Sequence, residues 1–455
     1  MSGPFQQELV FASNSPGARF PIANDASGRT EGAGRHAGDI DMAPLDATFR
    51  ESHSAPFHSW FPFLEGYSPR FVRRVRSAYL PDATRILEPF AGSGTTPIVL
   101  SQDGVECGYA EANPVMSLVC DVKLNVLAPD TNRKRLKKEL EALALGLSAR
   151  ISLSAEDTDL CSSYTRAFGT SVFFGEPVFR DVLKLRSLGD ELIANEGPMV
   201  GGCFTVAVMA SLIECSLLKR AGDVRYRTAK ELERGIPDLT TIVHSRLLRM
   251  AQDVDFALPT PIRSRQLTED ARDLQGLEPG RPFDGVITSP PYLNGTNYIR
   301  NARLELWYLR CVQKKSDLRD LRNNVVTSGI NDVDSHTRTE PVSEAVERIV
   351  ERLRVQAYDD RIAKMVAGYF FDMRAVLVGI RKLVKPGGTV CIDIGDSTYA
   401  GVHVPTDNLL VEVANDLGFS LIEMLYLRKR RSKGGDELRQ TLIVLRRSLT
   451  SVSEP

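Results

Sequence analysis

Thr288-Ser289-Pro290-Pro291-Tyr292 closes an apolar run, Phe283-Asp284-Gly285-Val286-Ile287. A short hydrophobic strand that stops at a polar residue, two prolines and an aromatic forms a rigid rim, not a core. The second proline pushes the residue before it toward an extended conformation. Neither proline has an N–H with which to continue a ladder. The carbonyls therefore stay free to accept hydrogen bonds, and Tyr292 sets a flat ring beside them. Acceptors next to a ring suit a planar base that carries an exocyclic amine.

A second motif lies upstream, Arg85-Ile86-Leu87-Glu88-Pro89-Phe90-Ala91-Gly92-Ser93-Gly94-Thr95-Thr96. It reads as strand, glycine turn and helix start. Gly92 and Gly94 allow a tight turn and close approach of a ligand. Thr95 or Thr96 caps the helix that Pro97 and Ile98-Val99-Leu100 continue. A triphosphate would need the lysine of a P-loop, which is missing. A dinucleotide would want a third glycine, where Pro97 stands. S-adenosylmethionine fits best: it has no phosphate, and its amino group favours a carboxylate such as Glu88.

The Thr-Ser-Pro-Pro-Tyr segment resembles the catalytic motif of the amino-methyltransferases that act on exocyclic nitrogens of DNA bases, and its spelling is most like the cytosine-N4 branch. The glycine string resembles the Asp-Pro-Phe-x-Gly-Ser-Gly-Thr-Thr motif of the same enzymes, with Glu88 in place of Asp. The resemblance implies a Rossmann-like class I methyltransferase fold, an α/β architecture with a mostly parallel seven-stranded sheet and a reversed C-terminal hairpin. It also implies catalysis at Ser289, Pro290, Pro291 and Tyr292, and cofactor contacts at Glu88, Pro89, Phe90, Gly92, Ser93, Gly94, Thr95 and Thr96.

Further contacts follow the next strands. Glu111, after Glu106-Cys107-Gly108-Tyr109-Ala110, sits about 20 residues beyond the glycine turn, where doubly wound folds grip a ribose; Asn113-Pro114 then opens a helix. By the resemblance, Asp270 with Ala271 reaches the adenine amine, Asp273 being the weaker choice. The resemblance also implies that an aromatic segment around Trp60 and Phe61 folds over the methionine end of the cofactor.

With 455 residues, 42% hydrophobic and 25% charged, the chain has an ordinary globular composition and exceeds one typical domain. Seven cysteines without a Cys-x-x-Cys pair argue against zinc and disulfides and for a reducing cytoplasm, either cytosol or nucleoid of a prokaryote. No apolar run reaches membrane-spanning length. The formal net charge of −1 requires any DNA contact to be local. Candidate contacts are Arg300 and Arg303, the stretch Lys219 to Lys230, and above all Arg428, Lys429, Arg430, Arg431 and Lys433, read as a loop beside a groove that holds phosphates.

The expected order is an irregular arm (1–55), a methyltransferase domain (56–127 and 263–446), a helical insertion (128–262) that reads target sequence or binds a partner, and a tail (447–455). The reaction expected is direct methyl transfer to a cytosine swung out of the stack, with DNA and cognate restriction or defence proteins as partners. Carbon-5 methylation would require a cysteine nucleophile, typically after proline, and no Pro-Cys occurs. Adenine-N6 transfer, RNA guanine-N2 transfer and a binding subunit without chemistry stay open as alternatives.

Overall fold

The computed structural model describes residues 47–449 except 64–65, 259–261, 279, 294–295, 432–434 and 436. Most of the expected arm thus lies outside the described residues, as does Lys433. From residue 47 the chain is packed: Phe49–His53 forms a 3-10 turn that buries Phe49.

The strands are β1 (Arg85–Glu88), β2 (Glu106–Ala110), β3 (Leu218–Ala221), β4 (Asp223–Tyr226), β5 (Arg265–Thr268), β6 (Phe283–Thr288), β7 (Val384–Gly395), β8 (Ser397–Tyr399), β9 (Val402–Val404), β10 (Phe419–Arg431) and β11 (Glu437–Arg447). Seven of them form one sheet in the order β10-β11-β7-β6-β1-β2-β5. The β5, β2, β1, β6 and β7 strands are mutually parallel, and β11 runs antiparallel to both β7 and β10. Of the seven strands only β11 is reversed, and it forms the C-terminal hairpin with β10.

Strand alternation divides the core. In β1, Ile86 packs into one hydrophobic cluster and Leu87 into the other. In β6, Ile287 and Val286 divide the same way, as do Leu442 and Ile443 in β11. A sheet buried on both faces needs apolar residues at successive positions, which is why these strands read as continuous runs. The long helix Arg361–Leu383 covers one face; Pro114–Leu127 and Thr95–Gln102 lie on the other.

The chain leaves β1 toward β2 and β5, then returns to the far side of β1 for β6 and β7. The order of strands therefore reverses between β1 and β6. In open parallel sheets the crevice beyond the strand ends at such a point is where ligands bind.

The insertion contains the helices Arg133–Leu153, Thr158–Phe168, Glu176–Asn195, Pro198–Leu212 and Leu239–Asp253. It is not purely helical: the basic stretch expected to meet DNA is the β3–β4 hairpin. Pro198–Leu212 is apolar all round and packs against Pro114–Leu127, so insertion and sheet share one continuous core. Among the described residues no helix is long and apolar enough to cross a membrane.

The insertion also grips the segment after the proline motif. Trp307, 0% exposed, donates its indole N–H to Ser163 Oγ at 3.0 Å and stacks on Phe179 at 14° between planes. Glu305, buried two residues earlier, accepts from Arg220 of β3 at 2.6 Å. Arg303 lies over the Phe173 ring at 5.0 Å. It is thereby a packing residue, in place of the phosphate contact expected from its charge, because its long apolar stem and planar head suit an aromatic wall.

Replacing Trp307 with alanine removes the centre of this cluster. The expected loss is about 3–5 kcal/mol of stability, read as a lowered denaturant midpoint with an unchanged slope.

Candidate active site

Four side chains that could act on a ligand come from the ends of neighbouring parallel strands: Glu88 from β1, Glu111 just past β2, Ser289 just past β6 and Asp393 near the end of β7. They share one edge of the sheet at the reversal of strand order.

Glu88 joins the two motifs. Its carboxylate is 1% exposed. It accepts from the Tyr67 hydroxyl at 2.6 Å, from the Phe90 N–H at 3.0 Å and from the Thr288 hydroxyl. Thr288 ends β6, so this last bond spans the gap between β1 and β6. Tyr67 in turn is 2.5 Å from Thr96 at the start of the following helix. Burial lifts the Glu88 carboxyl to about 7, against the pull of its donors.

The glycine turn follows. Gly92 and Gly94 have φ of 53° and 88°, a region costly for residues with a Cβ. Gly94 also caps the helix Thr95–Gln102. A Cβ on Gly94 would stand 2.9 Å from Cys120 Sγ, and one on Gly92 would stand 3.1 Å from the Phe63 ring. The Gly92 N–H goes to Glu111 at 2.7 Å and the Gly94 N–H to the Ala91 carbonyl at 2.9 Å. The turn therefore keeps these donors for itself and is no cradle for phosphate. Glu111 also accepts from the Asn113 N–H at 2.8 Å, and burial raises it to about 7. Asn113 caps the helix Pro114–Leu127 through Val115.

Beneath the turn, Lys123 (0% exposed) donates to the Ser93 carbonyl at 2.8 Å, and Cys120 donates to the Gly92 carbonyl at 3.1 Å. Burial lowers Lys123 to about 8. Neither residue was anticipated. The available signal was a lone lysine inside the apolar helix Pro114–Leu127, three positions from Cys120.

The proline rim lies across the crevice. Ser289 is half-buried, Pro290 is buried, and Pro291 and Tyr292 are half-buried. The far end of the rim is pinned at the Leu293 carbonyl by the hydroxyls of Ser397 and Tyr399 from β8. Tyr292 donates to Asp393 Oδ2 at 2.9 Å, with Ser289 near the same hydroxyl. Gln440 donates to both Asp393 oxygens at 2.8 and 2.9 Å, and Arg428 Nε donates to Gln440 at 2.5 Å. The Arg430 guanidinium lies over the Tyr292 ring, 5.3 Å from its centroid. Burial raises Asp393 to about 6.

Several expected contacts fall elsewhere. Trp60 is 2% exposed and gives its indole N–H to Asp253 of the insertion at 2.9 Å. It is a core residue, since a ring this large with one buried acceptor packs best inside; Phe63 is the aromatic that touches the glycine turn. Asp270 caps a 3-10 helix beside buried Ala271, and its carboxylate is engaged by both Arg272 Nε and Nη2. The fork two residues on competes for that acid ahead of any ligand. Asp273 is exposed.

The basic residues Arg428 to Arg431 are not a loop but the end of β10. Successive side chains of a strand alternate, so Arg428 and Arg430 turn toward Tyr292 and Asp393 while Lys429 and Arg431 are exposed. Lys429 meets Glu437 at 2.8 Å. In the β3–β4 hairpin, Lys219 and Arg225 are both satisfied by Glu231. Arg300 remains exposed. Among the described residues no group of three or more His, Cys, Asp or Glu side chains is placed to hold a metal.

No family model matches the chain. It is similar to the Type II methyltransferase M.BsoBI of Geobacillus stearothermophilus, with 22% identity across 90% of this chain and 87% of that protein. It is also similar to the Type II methyltransferase M.AvaI of Nostoc sp. (strain PCC 7120), 21% identical across 86% and 85%. Among solved structures, the rRNA methyltransferase aviRa of Streptomyces viridochromogenes aligns over 90% of this chain and 95% of its own at 11% identity. Its TM-score of 0.31 is too low to bear on fold or function.

The pH behaviour of the site has a definite sign. Glu88 and Glu111 hold protons in the folded state up to about 7, whereas their ordinary value is 4.5. Between those limits the folded chain binds more protons than the unfolded one, so these groups weaken the fold as pH rises through the window. Melting of the free protein from pH 5.5 to 8 is expected to show this decline, and Glu88→Gln is expected to flatten it. An unchanged slope in the variant would refute the assignment.

Proposed function

We propose that the protein is an S-adenosylmethionine-dependent DNA methyltransferase that methylates the N4 amine of a flipped cytosine. The observation that carries this reading is the Glu88–Thr288 contact, which sets the glycine turn against the Ser-Pro-Pro-Tyr rim across the reversal of strand order. The similarity to Type II methyltransferases along nearly the whole chain supports DNA methylation as the reaction, and a site-specific role in restriction-modification.

The residues fit the donor. Two buried carboxylates, at Glu88 and Glu111, flank a turn whose Gly92 and Gly94 N–H groups are already given away. That environment favours a cationic nucleoside over a phosphate. When bound, S-adenosylmethionine supplies a methyl group already activated on its sulfonium. The contribution of the protein is therefore position. Pro89, Phe90, Ser93, Thr95, Thr96 and Asn113 shape the pocket around the turn.

On the substrate side, Ser289 and the Pro290 carbonyl accept from the exocyclic amine. Drawing those N–H groups aside takes the nitrogen lone pair out of conjugation and aims it at the methyl. Pro291 keeps the rim extended, and Tyr292 offers its ring to the base. The Asp393 and Gln440 side chains hold that ring from behind. Flipping costs a few kcal/mol, which contacts to the phosphates must offset. With Arg428 and Arg430 turned inward, Arg300 and Arg431 on the exposed surface are the better candidates for those contacts.

Incubation of the protein with labelled S-adenosylmethionine and unmethylated genomic DNA, followed by nucleoside analysis, is expected to yield N4-methylcytosine. Ser289→Ala should lower the rate by roughly 100-fold or more while leaving cofactor affinity unchanged. N6-methyladenine as the product would overturn the base assignment, and label on RNA alone would overturn the substrate class.

A further inference from the structure

We propose that Arg430 reads the target base along the edge next to its amine and thereby selects cytosine; this rests on the cytosine reading above. Arg430 stands near the end of β10, one strand beyond β11 and two beyond β7, yet its head reaches the Tyr292 ring. Three features make that reach a built one. The first is space. A Cβ on Gly395 would lie 2.3 Å from Arg430 Nη1 and 3.0 Å from the Tyr292 ring, so a side chain there would displace the guanidinium from its present place. The second is register. Arg428, Gln440 and Gly395 stand in one row across β10, β11 and β7. A shift of register between Tyr426 and Arg428 precedes that row and sets which face Arg428 and Arg430 occupy.

The third feature is an unused donor. Arg430 Nη1 is buried and has no hydrogen-bond partner among the described residues. A buried N–H without a partner is costly, and here it stands beside the ring that meets the base. Asp393 does not take it up: its oxygens already accept from Tyr292 and Gln440. Two arginines therefore face a single carboxylate, which leaves donor capacity and positive charge for a ligand rich in acceptors.

Cytosine presents such acceptors in the right place. Next to its N4 amine stand N3 and then O2, two acceptors along one edge, which match the fork of a guanidinium. Adenine offers N1 beside its N6 amine and then an apolar C–H. With the amine held by Ser289 and the Pro290 carbonyl, Arg430 pairs fully with cytosine and leaves an N–H unpaired on adenine. A site built to hydrogen-bond one base rejects another that lacks the acceptor. A phosphate is the other source of acceptors, and it would be met at the surface.

The test uses a duplex carrying the methylation site mapped from treated genomic DNA, with either cytosine or 2-thiocytosine at the target position. Arg430→Gln is expected to lower kcat/KM on cytosine by roughly 10- to 100-fold, with cofactor affinity and melting temperature unchanged. Sulfur at position 2 is a weak acceptor and should slow the wild type by a similar factor, but should slow Arg430→Gln little further. Arg430→Lys keeps the charge over Tyr292 and loses the fork, so it should resemble the glutamine variant; it carries the test if that variant does not fold. The proposal is overturned if both variants keep the wild-type rate, or if the two losses multiply in full. It is also overturned if the whole loss lies in DNA affinity with a salt dependence reduced by about one phosphate. The wild-type product judges the cytosine reading separately: N4-methylcytosine with indifferent variants removes only the role of Arg430, whereas N6-methyladenine removes both.

Discussion

The buried carboxylate of Glu88 is the contact around which the site is arranged. It ends β1, ties down the first residues of the glycine turn through Phe90, and accepts from Thr288 at the end of β6. Parallel strands alone place their ends on one edge, but they leave a crevice where the order reverses. A short bond across that crevice fixes the distance between the two motifs. Tyr67 extends the same network to the segment that precedes the helix Pro69–Tyr79, and through Thr96 to the helix behind the turn. One acid thus coordinates four pieces of chain.

Burial gives this arrangement its electrostatic character. Glu88, Glu111 and Asp393 all hold protons more firmly than exposed acids, and in each case desolvation is the leading cause. Such acids are poised to respond to a cation that enters the crevice. Lys123 is the counterpart from below: it supports the Ser93 carbonyl from a fully buried position. Around this centre the insertion acts as a clamp. Trp307 and the Arg220–Glu305 pair hold the segment after the proline rim, and Ser397 and Tyr399 of β8 hold the rim itself.

The Tyr292 ring stands where these supports meet. Its hydroxyl is fixed by Asp393, which is fixed by Gln440, which is engaged by Arg428. A ring backed in this way is a rigid platform, and a rigid platform loses little freedom on binding. The same network explains why two arginines of an apparently basic surface run are spent inside the protein.

What the sequence determined by itself was local. Glycines at positive φ, an acid after the second strand and prolines that end a strand are demands of the backbone, and Gly92, Gly94, Glu111 and Pro290 declared them in order along the chain. The runs of β1 and β6 likewise announced strands. What only the tertiary structure decided was the direction and partner of individual side chains. Trp60 serves the core because Asp253, 193 positions away, offers its indole an acceptor. Asp270 is claimed by a nearby arginine fork. Arg428 and Arg430 turn inward because strand pairing and a shift of register, not charge, select their face. A composition-based reading sees a run of charge, whereas a pleated strand separates it into two faces, and only the folded sheet says which face meets the site.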